Sequence, residues 1–237
     1  MCVEPTTAMM IGSALSSGLQ YKQQKQAQKN QYNAQIRQND IVVFNWPVDT
    51  MLNMYYTDKY HYKPIDKKTN YVKRSVGIAG DTLEIKEGYV YINGKKNELS
   101  DRAELQFSYL VQPKNRTFSK KVMVNNYDIT DPFGIINREN TYQFIAMSDK
   151  IVNKFKNHPN VGSIEKYLSI EGERDSNIFP HNENYNWNND FFGPIYIPKA
   201  GTTIDINIEN LPLFKRIIGV YENNTLEVNG NNIFING

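Results

Sequence analysis

Apolar and polar positions follow three different rhythms along this chain. The stretch "DIVVFNWP", starting at Asp40, is a β-branched and aromatic run stopped by Pro47, the pattern of a buried strand. Residues 71–94 continue in the same manner: "TLEIK", a Glu87-Gly88 turn and "YVYING" alternate faces at a period of two, which predicts a hairpin. Residues 101–211 hold strand-like pieces, "LQFSYLV", "TYQFIAM", "PIYIP" and "TTIDINI". They also hold one helical pattern, "SDKIVNKFKNHP", with Ser148 as N-cap and Pro159 beyond its end.

The first 37 residues differ from all of this. "GLQYKQQKQAQKNQYNAQIRQ" is built from good helix formers without a wide apolar face, and "TTAMMIGSALSSGL" ahead of it sets Met9, Met10, Ile11, Leu15 and Leu19 among small residues. This predicts a helical or disordered N-terminal segment, 1–37, followed by a β domain. The chain then repeats itself. "FKRIIGVYENNTLEVNGNNIFING" (214–237) matches "VKRSVGIAGDTLEIKEGYVYING" (72–94) with one residue inserted before the Thr-Leu-Glu. Two copies are too few for a solenoid, so they are expected to form two strand-plus-hairpin units of one β domain. That domain comprises 38–100 and 212–237, with 101–211 as an inserted α+β subdomain, and the fold class is mainly β.

Bulk composition narrows the function classes. With 237 residues, 40% of them hydrophobic and 12% aromatic, the chain can bury a core. Lys and Arg (27) nearly balance Asp and Glu (25), so nothing in the net charge points to nucleic acid. Cys2 is the only cysteine, and His61, His158 and His181 are widely spaced, so no intrachain disulfide, metal site or cofactor is expected. The low-charge stretch 6–20 is interrupted by Gly and Ser and falls short of the roughly 20 apolar residues of a bilayer span. No basic residue precedes it, as one would in a secretory signal, so a soluble or peripheral chain is expected. The loop "PHNENYNWNNDFFGP" carries Trp187, Phe191 and Phe192, aromatics suited to pinning a long loop to its own domain.

Chemistry centres on Lys73. A free lysine has a pKa near 10.4, so at neutral pH on the order of one in a thousand can accept a proton. As a general base it must be desolvated, because burial penalises the ammonium. Lys73 lies between Val72 and Val76 in an expected central strand, sharing a face with Tyr71 and Ser75. Spacing alone favours an ordinary exposed strand lysine.

The wider motif changes this weighting. "NDIVVFNWP" followed by "YVKRSVGIAGDTLEIKEGYVYING" resembles two conserved boxes of bacterial type I signal peptidases (peptidase family S26), in the long form found in Bacteroidetes. The likeness runs from about Gln38 to Gly237. It implies a signal-peptidase-like antiparallel β domain carrying the large insertion. It also implies a serine endopeptidase of the Ser-Lys type, which removes signal peptides from exported preproteins at the outer side of the plasma membrane. The family's lysine falls on Lys73, its general base. Arg74, Gly77, Gly80 and Asp81 match the surroundings of that lysine, and Asp40 matches the start of the preceding box, with Asn39 where a glycine is usual. The Ser-Met-x-Pro nucleophile motif occurs nowhere, and the second Gly/Asp/Asn/Arg/Ser box is missing after the second hairpin, so both ends look truncated and no cleavage by this chain alone is expected. Ser75, Ser13, Ser16 and Ser17 offer no substitute with nameable oxyanion donors. Lys215, equivalent to Lys73 in the repeat, lacks the Gly-Asp turn and is the weaker match.

The first 36 residues are similar instead to the start of internal virion proteins of short-tailed phages. That likeness implies a fusion: a phage-type structural or interaction module with virion partners, or a chimera without function.

Overall fold

The computed structural model describes residues 36–45, 63–115 and 117–237. Most of the helical segment expected over 1–37, including Ser13, Ser16 and Ser17, lies outside these residues, as do Pro47 and His61. The described chain is mainly β and its strands form four sheets, all antiparallel.

The β-branched run beginning at Ile41 becomes β1 (Ile41–Asn45) and pairs with β2 (Asn70–Arg74) as a two-stranded ribbon, Val42 opposite Lys73. The hairpin of the first repeat follows as β3 (Thr82–Lys86) and β4 (Tyr89–Ile92), closed at the Glu87-Gly88 turn by two residues with positive φ. Next to β4 lies β5 (Lys95–Lys96), and next to β3 lies β10 (Phe192–Tyr196), completing a four-stranded sheet in the order β10-β3-β4-β5. The expected insertion therefore returns its last strand to the first repeat.

A second four-stranded sheet holds the main core. It is ordered β7-β8-β6-β9, from β6 (Gln106–Pro113), β7 (Phe133–Ile135), β8 (Tyr142–Ser148) and β9 (Val161–Lys166). Two helices, α1 (Lys120–Tyr127) and α2 (Asp149–Phe155), contribute Met123, Val152 and Phe155 to the same core, which is dominated by aromatic rings. Phe133 stacks on Phe144 at 4.6 Å, and Phe118 meets Tyr142, Phe144 and Phe155 at 5.0–5.8 Å. Rings at these distances add to area burial, and losing a buried Phe costs about 3–5 kcal/mol. Ser148 caps α2 as expected, its Oγ accepting from Ile151 N.

Two expectations fail here. "TTIDINI" forms no strand. The Lys-Arg stretch of the second repeat, expected as a strand, is α3 (Leu211–Arg216) continued by a π turn, Ile217–Tyr221. Pro212 sits in the first helical turn, where its fixed φ and missing N–H favour a helix start over the strand suggested by Ile217, Ile218 and Val220. The second hairpin, β11 (Leu226–Asn229) and β12 (Asn232–Ile235), forms a two-stranded sheet of its own among the described residues.

Candidate active site

Lys73 is the fourth of the five residues of β2, and its surroundings differ from the expected central strand. β2 has a single paired neighbour among the described residues, β1, and Lys73 is exposed. No hydrogen bond or ion pair engages its Nζ among the described residues. On the opposite face of the ribbon, Val43 and Val72 pair across the strands and are 66% and 60% exposed.

The residues matched around Lys73 each hold the backbone in place. Arg74 Nη1 donates to the Asn39 carbonyl at 2.8 Å, bridging the two boxes. Asn39 N donates to Ser75 O at 2.6 Å and Ser75 N to Asp40 O at 2.8 Å, extending the ladder beyond the ribbon. The Asp40 carboxylate accepts from Arg37 N at 2.8 Å. Asn39 has a φ of 69°, the left-handed region that Asn tolerates better than most residues, which is a physical reason Asn can stand where the resemblance implies a glycine. Its amide exchanges two 3.0 Å hydrogen bonds with the Asn97 amide, tying the ribbon to the end of the β3-β4-β5 sheet.

The Gly-x-x-Gly-Asp segment is a turn closed against β10. A Cβ at Gly77 would lie 2.6 Å from Ile197 Cδ1. Gly80 has a φ of 98° and donates its N–H to Ile197 O, while Ile197 N donates to Asp81 O, both at 2.8 Å. The Asp81 carboxylate accepts from Ile78 N at 3.0 Å and from Asn93 Nδ2 at 2.9 Å. The motif thus fixes where β2 ends and the hairpin begins. Asn93 and Ile197 were missed in the sequence; the Asn-Gly pair after "YVYI" is a turn signal that could have marked the first.

Neither rival site gains support. Ser75 Oγ donates to Gly77 O at 3.2 Å, which commits it to the turn. Lys215 is an exposed helical lysine. His158 Nδ1 accepts from Asn160 N, and its ring packs on Phe118, Tyr127 and Phe155. No group of three or more His, Cys, Asp or Glu among the described residues could hold a metal. No helix among them is long and apolar enough to cross a membrane. In the aromatic loop, Trp187 packs on Tyr185 and Phe192 at 4.6 and 4.4 Å, contacts within the loop itself, whose Phe192 begins β10.

The junction between the first repeat and the aromatic core is a second concentration of charge. Lys166 Nζ donates to Glu87 O at 2.9 Å and lies over the rings of Phe107 (3.3 Å) and Tyr89 (4.2 Å). Burial there pushes its pKa below the ordinary lysine value, against the pull of Asp190, Asp149 and Glu87. Burial beside Asp149, whose Oδ1 accepts from the Tyr109 hydroxyl, raises the Tyr109 phenol to about 12.

The model of the family "Signal peptidase, peptidase S26" matches residues 7–164. The match begins within the segment assigned a phage-like origin and stops before the second repeat, whereas the likeness read from the sequence ran from Gln38 to Gly237. The chain is 32% identical to signal peptidase I of Bacillus amyloliquefaciens over 114 residues, which is 48% of this chain and 54% of the relative. It is 33% identical to signal peptidase I P of Bacillus subtilis subsp. natto over 115 residues, with the same two shares. Signal peptidase I S of Bacillus subtilis (strain 168) is 31% identical over 115 residues, again 48% and 54%. The chain spans about half the length of these curated relatives. No solved structure gives a significant match. The chain belongs to the signal peptidase family, peptidase S26.

Proposed function

We propose that the chain carries the lysine half of a Ser-Lys signal peptidase I, with Lys73 as general base toward preprotein signal peptides at a membrane surface, and that without a Ser-Met-x-Pro nucleophile it does not cleave by itself. The observation that supports this reading most is the antiparallel pairing of the two family boxes. It holds Lys73 at a fixed register opposite Val42, with Arg74 tied to Asn39 and the Gly77–Asp81 turn closed on Ile197. A general base must be desolvated, and Lys73 is exposed, so the base must be made where a serine-bearing segment and the substrate cover this ribbon.

A cleavage assay with a fluorogenic signal-peptide substrate tests it. The purified chain is expected to show no turnover. Installing a Ser-Met-x-Pro segment ahead of Asp40 is expected to give turnover that Lys73→Ala abolishes. Turnover by the unaltered chain would overturn the missing-nucleophile half, and turnover that survives Lys73→Ala would overturn the assignment of the base.

A further inference from the structure

The second hairpin exposes an edge that complements itself. Residues 232–236 read Asn-Ile-Phe-Ile-Asn, the same in either direction. Antiparallel pairing of this segment with its own copy about Phe234 sets Phe against Phe and Ile233 against Ile235. The backbone has the phase this pairing needs. Asn236 N donates to Thr225 O, so by the alternation of an antiparallel ladder Phe234 also directs its backbone groups toward β11, opposite Glu227. Ile233 and Ile235 then direct theirs outward, away from β11. A two-fold axis through Phe234 satisfies all four outward groups of each copy and makes Phe234 a close, non-hydrogen-bonded pair, the setting in which cross-strand aromatic side chains approach most closely.

The surroundings support the same occupant. Within the described residues β12 pairs only with β11, and Phe234 and Ile235 are 41% and 43% exposed. The strand has no charge and no proline, the devices that usually keep an edge from pairing. The equivalent edge in the first repeat, on β4, is already taken by β5 and its two lysines. A lone two-stranded hairpin is marginal, whereas four strands form a stable sheet.

We propose that β12 is a dimerisation edge: two copies of this chain join as β11-β12-β12′-β11′, with Phe234 on the two-fold axis. Sedimentation velocity of the full chain over a range of concentrations tests this. A species of twice the chain mass is expected to grow with concentration and to be lost in Ile233→Pro, which removes an outward N–H and leaves every bond to β11 in place. Phe234→Lys keeps the whole backbone edge and sets two ammonium groups together, so it is expected to give the same loss. In a Cys2→Ser background, Phe234→Cys is expected to oxidise to an interchain disulfide and Glu227→Cys to remain free. A monomer at every concentration, an assembly larger than two copies, or a dimer that survives both Ile233→Pro and Phe234→Lys would overturn the proposal.

Discussion

Ile92 and Ile235 hold the same place in two copies of one hairpin, yet the first is 7% exposed and the second 43%. Locally the copies agree closely. Leu83 faces Ile92 as Leu226 faces Ile235, and the ladders run in the same register to their turns. Each hairpin is closed by an asparagine with positive φ, Asn93 or Asn236, whose Oδ1 accepts from the N–H of Thr82 or Thr225 at 2.9 and 3.0 Å. Each asparagine's Nδ2 then donates to the residue before that threonine, Asp81 or Asn224. The difference lies in what surrounds them. The first copy has β10 on one side and β5 on the other, and its turn is fastened to the sheet of the aromatic core by Lys166 and to the loop before β10 by the 2.9 Å bond from Gly88 N to Asp190 O. Among the described residues the second has none of these. Local sequence thus determines the hairpin, and its neighbours determine its burial.

Removing a neighbour should erase the difference. Gly193, in β10, has a φ of 89°, and a Cβ there would lie 2.7 Å from Leu83 O, a backbone atom that cannot step aside. Gly193→Ala combines left-handed strain with overpacking, an expected cost of about 2–5 kcal/mol. Denaturant unfolding should register that loss, and amide exchange in β3 should approach the rate seen in β11. Paired truncations come next. Ile92→Ala is expected to cost about 2–4 kcal/mol, as for a buried isoleucine. Ile235→Ala should cost well under about 1 kcal/mol when measured at concentrations where the chain is monomeric. Equal costs would mean that the second hairpin is covered as well as the first.

The shared clasp makes the opposite expectation. Asn93→Ala removes two hydrogen bonds and Asn236→Ala the same two plus one from Thr225 Oγ1, and both place an alanine at positive φ, so each should cost about 1–2 kcal/mol despite the difference in burial. Exchange of the Thr82 and Thr225 amides reads each clasp separately. The corresponding glycine variants, which relieve the backbone strain, isolate the contribution of the side chain.

These contrasts mark how far the sequence alone could lead. The Thr-Leu-Glu hairpins were legible because period-two alternation and Gly-containing turns are local signals. So was α2, with Ser148 as its cap. The π turn after α3 was not, because Ile217, Ile218 and Val220 look strand-forming and only Pro212 signals a helix. Burial was not legible either. The strand context of Lys73 suggested a central position, but that depends on pairing with residues distant in the chain, and among the described residues β2 pairs only with β1. In the site, the Lys-Arg and Gly-x-x-Gly-Asp pattern located the turn, while its closure by Ile197 comes from far along the chain and leaves no mark in the motif.

Alkaline pH gives the smallest and most selective difference between the copies. Tyr89, in the first hairpin, and Tyr109, in the core beneath it, both have raised phenol pKa values, caused first by burial and then by the charge of Asp149. A phenol that holds its proton more tightly when folded adds stability that is fully present below the ordinary tyrosine value near 10. That stability is lost as pH rises through the folded value, about 12 for Tyr109. Lys166 has the opposite sign. Its lowered pKa makes the protonated form unfavourable in the folded state, and that penalty is relieved by the time pH reaches the ordinary value of 10.5. Loosening between pH 10 and 12 therefore comes from the groups whose pKa is raised: Tyr89 and Tyr109, joined in the same direction by Tyr185, raised first by burial, and by the exposed Lys86, raised first by its hydrogen bond to Glu84. It should stay below about 1 kcal/mol near pH 10.5, appear as faster exchange in β4 and β6 before β11 and β12, and shrink in Tyr109→Phe. If both hairpins loosen together over that window, the fastening of the first copy to the aromatic core is not what sets it apart.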